Sequence, residues 1–341
     1  MNRFSYHRAD TVEDTIKLLS ADPTARIIAG GTNLVDLMKY LVETPSTLID
    51  VTRIDALKGI TETEDGGLRI GALVSNSAVA YDERVQARFP LLASAILAGA
   101  SPQLRNAATT GGNLNQRTRC YYFNDPATPC HKREPGSGCS AIVGLNRIHA
   151  ILGASDQCIA THPSDMCVGL AALAAEVHVA GPGGERVIPF ADYHRLPGDA
   201  PQQDNTLQQG EIVLAVVLPQ GGQGYAGHYS YLKLRDRLSY AFALVSVAAA
   251  LEMDGGTIAS ARIALGGVAH KPWRRQEAEA ALSGRAAETS AFAAAADLLL
   301  EGAVGHEHNG FKIDLARRAV IRALAQAATG TPQSQTDKRI A

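Results

Sequence analysis

Val12, Ile16 and Leu19 recur at spacings of four and three behind Thr11 and Asp14, so the first strong pattern in the chain is an amphipathic helix with its own cap, closed near Asp22-Pro23. A short apolar run, Arg26-Ile27-Ile28-Ala29, breaks at Gly30-Gly31, after which Leu34, Leu37, Met38 and Leu41 resume helical spacing. With an extended run at Thr47 to Val51, residues 1–55 predict a small α/β lobe in which a strand, a glycine loop and a helix follow one another.

A second α/β region, 56–222, starts with Gly67-Leu68-Arg69-Ile70-Gly71 and continues through a helix at Leu91 to Ala100 to a second glycine loop, Thr109-Thr110-Gly111-Gly112-Asn113. Next comes a stretch rich in Pro, Gly, Arg and Asn. An apolar helix from about Cys167 to Ala175 then leads to strands at Glu176 to Ala180 and Glu211 to Leu218. The run Pro219-Gln220-Gly221-Gly222-Gln223-Gly224 marks a domain boundary. Beyond it, Tyr229 to Leu234, Ala241 to Met253 and Thr257 to Leu265 predict strands, with Asp254-Gly255-Gly256 as a hairpin turn. Two alanine-rich helices and a third at Phe311 to Ala327 complete an α+β domain at 226–329, and 330–341 reads as a polar tail.

With 46% hydrophobic and 19% charged residues the chain can build sizeable cores. A formal charge of −2 offers no basic surface for counterion release, which argues against nucleic acid as a partner. The start, with acidic residues and no long apolar stretch, carries no expected export signal, and no apolar run approaches a membrane span.

The two glycine loops suggest anion binding. A strand running into Gly-Gly lets backbone N–H groups approach a pyrophosphate, because glycine has no Cβ and tolerates positive φ, and Thr32 and Asn33 add polar side chains. An ordinary strand-to-helix turn would use the same residues, and the G-x-G-x-x-G pattern is not met. Two such loops suggest one long ligand clasped between lobes.

Four of the five cysteines, Cys120, Cys130, Cys139 and Cys158, fall close together in the Pro/Gly-rich stretch. Thiolates converging from a loop suit an iron-sulfur cluster or zinc, although no C-x2-C pair occurs, and disulfides or unlinked thiols fit the spacing too. Cys167, in an apolar run, reads as a small buried residue. No H-E-x-x-H pattern occurs, and His7, His149 and His178 read as structural or surface residues.

The segments Ile27-Ile28-Ala29-Gly30-Gly31-Thr32-Asn33-Leu34 (IIAGGTNL), SPQLRN (101–106), ATTGGN (108–113), KLRDRLSYAFALVSVAAAL (233–251) and GGVAHKPWR (266–274) together resemble the FAD-binding subunit of the molybdenum hydroxylases, the xanthine dehydrogenase and carbon monoxide dehydrogenase family. That resemblance implies a two-lobed FAD-binding domain of the vanillyl-alcohol-oxidase/PCMH type, followed by a C-terminal domain with an antiparallel sheet and helices. It implies that Ile27 to Leu34 bind the FAD pyrophosphate, that Thr109, Thr110, Gly111, Gly112 and Asn113 complete the site, and that Asp165, Lys233 and Tyr240 lie toward the flavin. Asp165 also suits a helix cap, and Lys233 a solvated strand position.

Simple members of the family pass from the second loop to the aspartate in far fewer residues than lie between Asn113 and Asp165 here, and the extra segment, about 116–160, contains the cysteine quartet. It resembles the insertion of two subgroups that hold a 4Fe-4S cluster there: the flavin subunit of periplasmic aldehyde oxidoreductase, closest in RTRCYYF, PCHKREPGSGC and CIATHPSDM, and the beta subunit of 4-hydroxybenzoyl-CoA reductase. Cys120, Cys130, Cys139 and Cys158 become the expected cluster ligands. Arg117, Arg119, Lys132 and Arg133 are expected to offset thiolate charge, and Gly136 and Gly138 to leave N–H donors for the sulfides. The resemblance further implies an electron-transfer role. A large molybdenum-cofactor subunit would oxidise an aldehyde, a small subunit would carry 2Fe-2S centres, and electrons would reach an external acceptor through FAD on this chain. Export to the periplasm would then need a signal-bearing partner, with the cytoplasm as the alternative. A non-catalytic, zinc-stabilised binding or assembly protein is the reading from another class.

Overall fold

The computed structural model describes residues 1–238, 240–331 and 333; of the expected tail, 332 and 334–341 lie outside the described residues. Strands β1 (Ser5–Arg8), β2 (Arg26–Ile28) and β3 (Thr47–Asp50) form a parallel sheet in the order β1-β3-β2. Parallel neighbours require crossovers, and the helices Val12–Ala21 and Leu34–Lys39 supply them. The first is capped as its sequence suggests: the Thr11 hydroxyl accepts the Asp14 N–H at 3.0 Å.

Two local features depart from the sequence pattern. The segment SYHR forms β1 although all four residues are exposed, so no apolar alternation announces it. The second helix stops before Leu41, which is half-exposed at φ 61°. There the Leu37 carbonyl accepts the N–H groups of both Val42 and Glu43 and closes the helix end, overriding the apolar spacing.

The second lobe is built on β4 (Ile60–Glu62), β5 (Leu68–Gly71), β6 (Glu176–Gly181), β7 (Gly184–Pro189) and β8 (Ile212–Leu218), an antiparallel sheet in the order β4-β5-β8-β6-β7. All of β8 is buried in the middle of that sheet, which explains its unbroken apolar run. Helices Pro90–Ala98 and Asp165–Ala172 are enclosed on nearly every side in the same core, so neither carries a polar stripe.

In the C-terminal domain, β9 (Tyr229–Leu234), β10 (Val245–Asp254) and β11 (Thr257–Gly266) are antiparallel, with the order β11-β10-β9. Successive side chains on β10 serve two different cores. Val245, Val247, Ala249 and Leu251 pack with helices Thr289–Leu299 and Phe311–Ala328, whereas Ala248 and Ala250 join the core of the second lobe. That second face brings Tyr231 and Lys233 of β9 against the N-terminal turn of Asp165–Ala172.

Candidate functional site

A cleft of about 820 Å³ runs along the first glycine loop. Ile27, Ile28, Ala29, Gly30, Gly31, Thr32, Asn33 and Leu34 all line it, facing Thr109 and Gly112 of the second glycine segment. A smaller cavity of about 180 Å³ contains Asp165, Lys233, Tyr240 and Phe242. Thr32, Asn33 and Gly112 line both, so the two cavities meet where the glycine segments face each other. One elongated ligand spans such a pair.

The glycines make that meeting possible. A Cβ on Gly30 would lie 1.9 Å from the Ala107 carbonyl oxygen, so the first loop touches backbone just ahead of the second. Gly31 sits at φ 69°, a conformation that side chains with a Cβ rarely adopt.

The second segment is a short helix, Thr110–Leu114, and not an open loop. Its residues divide their work. The Thr109 hydroxyl accepts the Gly112 N–H, while Thr110 and Gly111 turn inward and donate their N–H groups to the carbonyls of Val74 and Ala72. Gly112 is left at the cleft, and the Asn113 amide donates to Asn76 Oδ1 at 2.8 Å. The Asn33 Oδ1 accepts the Arg117 N–H at 2.9 Å, tying the first loop to the start of the cysteine segment.

In the smaller cavity Asp165 is the first residue of its helix, and the cap is Ser164, whose hydroxyl accepts the Cys167 N–H. The Asp165 carboxylate accepts from Tyr231 Oη at 2.6 Å and from Lys233 Nζ at 2.7 Å. Lys233, whose Nζ also donates to the Ala98 carbonyl, is therefore a buried ion-pair partner, not a solvated strand residue. Burial, reinforced by the Asp165 charge, pushes the Tyr231 phenol well above its usual range, keeping it a neutral donor. Tyr240 stands at the rim, largely exposed, with φ 49°. Arg119, expected among the cysteines, lies 5.0 Å over the Phe242 ring in this cavity, its pKa lowered to about 10 by burial.

One wall of the larger cleft was not anticipated. Residues 202–211, a polar stretch rich in Gln and Asn, line it with Arg195 and Arg117. Within that wall Asp204 pairs with Arg117 Nε at 2.7 Å, with Lys132 Nζ, and with His270 Nε2 at 3.6 Å. Burial alone would raise the Asp204 pKa, but Lys132, Arg117 and His270 hold it well below the carboxylate range.

The cysteines of the insertion are free thiols drawn into one small core: Cys120, Cys130 and Cys158 pack with Phe123, Ala141, Ile159 and Leu37, and Cys139 lies against them. Among the described residues none of these cysteines is in a disulfide. Cys130 and Cys139 face each other across an antiparallel bridge, with the His131 N–H donating to the Gly138 carbonyl at 2.7 Å. Burial pushes the Cys120 thiol up to about 12 and the Cys158 thiol up to about 11. Backbone N–H groups of Tyr122 and Phe123 point at the Cys120 sulfur, and that of Ala160 at Cys158 Sγ.

Two expectations about this loop are corrected. Gly136 and Gly138 donate their N–H groups to His131 Nδ1, at 3.1 and 3.3 Å, and are committed to the turn. The basic residues have other partners too, although Lys132 also favours the Cys158 thiolate by its charge. Arg117 and Lys132 pair with Asp204, Arg117 also with Glu43, and Arg133 donates to the carbonyls of Tyr122, Phe123 and Thr128. His149, read as structural or surface, is buried with its Nε2 3.1 Å from Cys120 Sγ. Cys167 is fully buried, as expected, with His162 and His194 beside it.

A two-lobed domain with paired cavities joined at glycine segments defines a flavin-dinucleotide-binding protein. Residues 2–221 match the family described as "FAD binding domain in molybdopterin dehydrogenase", and residues 229–327 match "CO dehydrogenase flavoprotein C-terminal domain". The chain is 49% identical over 328 residues to the aldehyde oxidoreductase FAD-binding subunit PaoB of Escherichia coli K12, covering 96% of this chain and 99% of that protein. It is 28% identical to the carbon monoxide dehydrogenase medium chain of Afipia carboxidovorans, over 95% and 98% of the two chains. Among solved structures, a chain of reconstituted CO dehydrogenase from Oligotropha carboxidovorans superposes with a TM-score of 0.76 at 26% identity, covering 97% of this chain and 99% of that one. The chain belongs to the molybdenum hydroxylase family as its FAD-binding flavoprotein subunit.

Gly31→Val places a β-branched side chain at φ 69° and should abolish FAD retention through purification; full flavin occupancy, read from the visible spectrum, would remove the first loop from the site. Asp204→Asn should cost about 1–3 kcal/mol in urea denaturation at neutral pH, because Lys132 loses its carboxylate partner while Arg117 keeps Glu43. Since the folded pKa of Asp204 lies below its ordinary 3.8, that stabilisation is complete above 3.8 and is lost as pH falls through the folded value. The gap between wild type and variant should therefore narrow only below about pH 4.

Proposed function

We propose that this chain is the electron-transfer FAD and iron-sulfur subunit of a molybdenum-dependent aldehyde oxidoreductase. The observation that carries the reading is the insertion: its four cysteines are gathered in one buried core beside the flavin lobe. The extent of the likeness to PaoB, nearly end to end, favours an aldehyde-oxidising complex. The partners are a large molybdenum-cofactor subunit and a small 2Fe-2S subunit, and an external acceptor takes the electrons.

When bound, FAD supplies the electron exchange between metal centres and acceptor. The larger cleft suits its adenosine and pyrophosphate, cradled by Gly30, Gly31, Thr32, Asn33 and Gly112. The smaller cavity suits the isoalloxazine, beside the Asp165–Lys233 ion pair and beneath Tyr240. Because Asp165 neutralises Lys233, this pair presents little net charge to the ring.

Cys120, Cys130, Cys139 and Cys158 would hold a 4Fe-4S cluster. A single tetrahedral zinc, with bonds of about 2.3 Å, draws its thiolates to about 3.8 Å from one another. A 4Fe-4S core instead takes one thiolate on each of its four irons, the number that the insertion supplies. The N–H groups aimed at the sulfurs of Cys120 and Cys158 are donors of the kind that stabilise cluster thiolates. The iron charge would also reverse the burial penalty that keeps these thiols neutral.

We place the complex in the periplasm, exported with a signal-bearing partner, on the resemblance of the insertion to that of periplasmic aldehyde oxidoreductase. Among the described residues no helix is long and apolar enough to cross a membrane.

Purified with its partners, the protein should be yellow-brown and contain four irons per flavin beyond those of the small subunit's 2Fe-2S centres. A colourless chain with stoichiometric zinc would sink the proposal. Cys130→Ser should remove the four irons of this chain and weaken FAD binding several-fold without abolishing it, because the cysteine core shares Leu37 with the helix after the first glycine loop. Undiminished iron in that variant would exclude Cys130 as a ligand.

A further inference from the structure

His149 is 1% exposed and is fixed from several directions. Its carbonyl accepts from Lys312 Nζ at 2.7 Å and from Asn309 Nδ2 at 3.3 Å, and its N–H donates to the Asn146 carbonyl at 3.0 Å. Lys312 is fully buried at the start of helix Phe311–Ala328, and its Nζ also reaches the Gly267 carbonyl at 2.5 Å, so the C-terminal domain positions this histidine. The rings of Tyr121 and Tyr122 flank the imidazole, with centroids at 6.5 and 6.3 Å.

The two ring nitrogens have different surroundings. Nδ1 is buried without a hydrogen-bond partner, whereas Nε2 lies 3.1 Å from Cys120 Sγ. A neutral imidazole carries one N–H, and the acceptor beside this ring is the sulfur, which assigns the proton to Nε2.

We infer that His149 is a positioning residue for the iron-sulfur cluster, donating an Nε2–H hydrogen bond to the Cys120 thiolate and thereby raising the cluster's reduction potential. The inference rests on the cluster reading above. One-electron reduction adds a negative charge to the core without making or breaking a bond. A donor aimed at a ligand sulfur stabilises that added charge, so the reduced state gains more than the oxidised one. Cys120 already receives the N–H groups of Tyr122 and Phe123, and His149 adds the one side-chain donor on this sulfur among the described contacts.

The test uses the holoprotein with its partners, reduced by dithionite through redox mediators and monitored by electron paramagnetic resonance. In wild type grown on 15N-labelled histidine, the reduced cluster should show hyperfine coupling to the histidine 15N, which the backbone donors cannot supply. Absence of that coupling would overturn the inference. His149→Leu should keep its iron and shift the one-electron equilibrium about tenfold toward the oxidised cluster, a fall of 59 mV for a one-electron couple. His149→Gln, which retains an N–H, should recover part of the shift, and the flavin potential should not move in either variant. An unmoved cluster potential in iron-replete His149→Leu would overturn the role while leaving the cluster in place. Wild-type iron no greater than the partner's 2Fe-2S centres require would instead refute the cluster itself. Should His149→Leu fail to load iron, the wild-type coupling decides the matter.

Discussion

A single half-buried carboxylate ties together parts of this chain that are distant in sequence. Asp204, from the loop ahead of β8, meets Arg117 and Lys132 from the cysteine segment and His270 from the C-terminal domain. Two cations and one carboxylate drawn partly out of water are costly unless their geometry is good, and separating them would leave Lys132, which is almost fully buried, without its ion-pair partner. The cysteine segment has only two short helices, Tyr121–Asn124 and Ser140–Val143, so its position depends on such side-chain ties more than on regular structure. Arg117 extends the network to Glu43, and its backbone N–H to Asn33, so the tie reaches the first glycine loop.

The paired cavities follow from how the lobes meet. The parallel sheet of the first lobe delivers the Gly30-Gly31 turn, and the second lobe presents backbone at Ala107 close enough to exclude any Cβ. The C-terminal domain then finishes the flavin end by a different device, the two-sided burial of β10, which seats β9 so that Tyr231 and Lys233 converge on Asp165. Each contribution is weak alone. Together they make a site that no one segment could form.

Much of this was legible in the amino-acid order, and the exceptions have physical causes. The capped helix at Val12–Ala21, the apolar strand β8 and the hairpin between β10 and β11 follow from local periodicity and turn chemistry. The exposed strand β1 has no apolar alternation, because its pairing is set by backbone groups of β3. The first glycine loop could be named because its function is backbone exposure, which Gly-Gly encodes locally. Asp204 could not, since its significance lies in partners far away in the chain. The basic residues around the cysteines were noticed as charge compensation, which Lys132 supplies at Cys158, but the fold also gives Arg117 and Lys132 a carboxylate and Arg133 backbone carbonyls. His149 lacked any motif, and only the crossing of the insertion with helix Phe311–Ala328 reveals its neighbour.

Leu37 belongs to the helix after the flavin loop and also to the core formed by the cysteines. The insertion is therefore no detachable appendage, and the shared residue bears on how the protein matures. A chain whose cysteine core has not set leaves that helix without part of its packing. If iron sets the core, cofactor delivery acquires an order in which metal assembly prepares the ground for the nucleotide. Iron scarcity in the cell would then surface as flavin-poor enzyme, a shortage of one nutrient recorded as the absence of another.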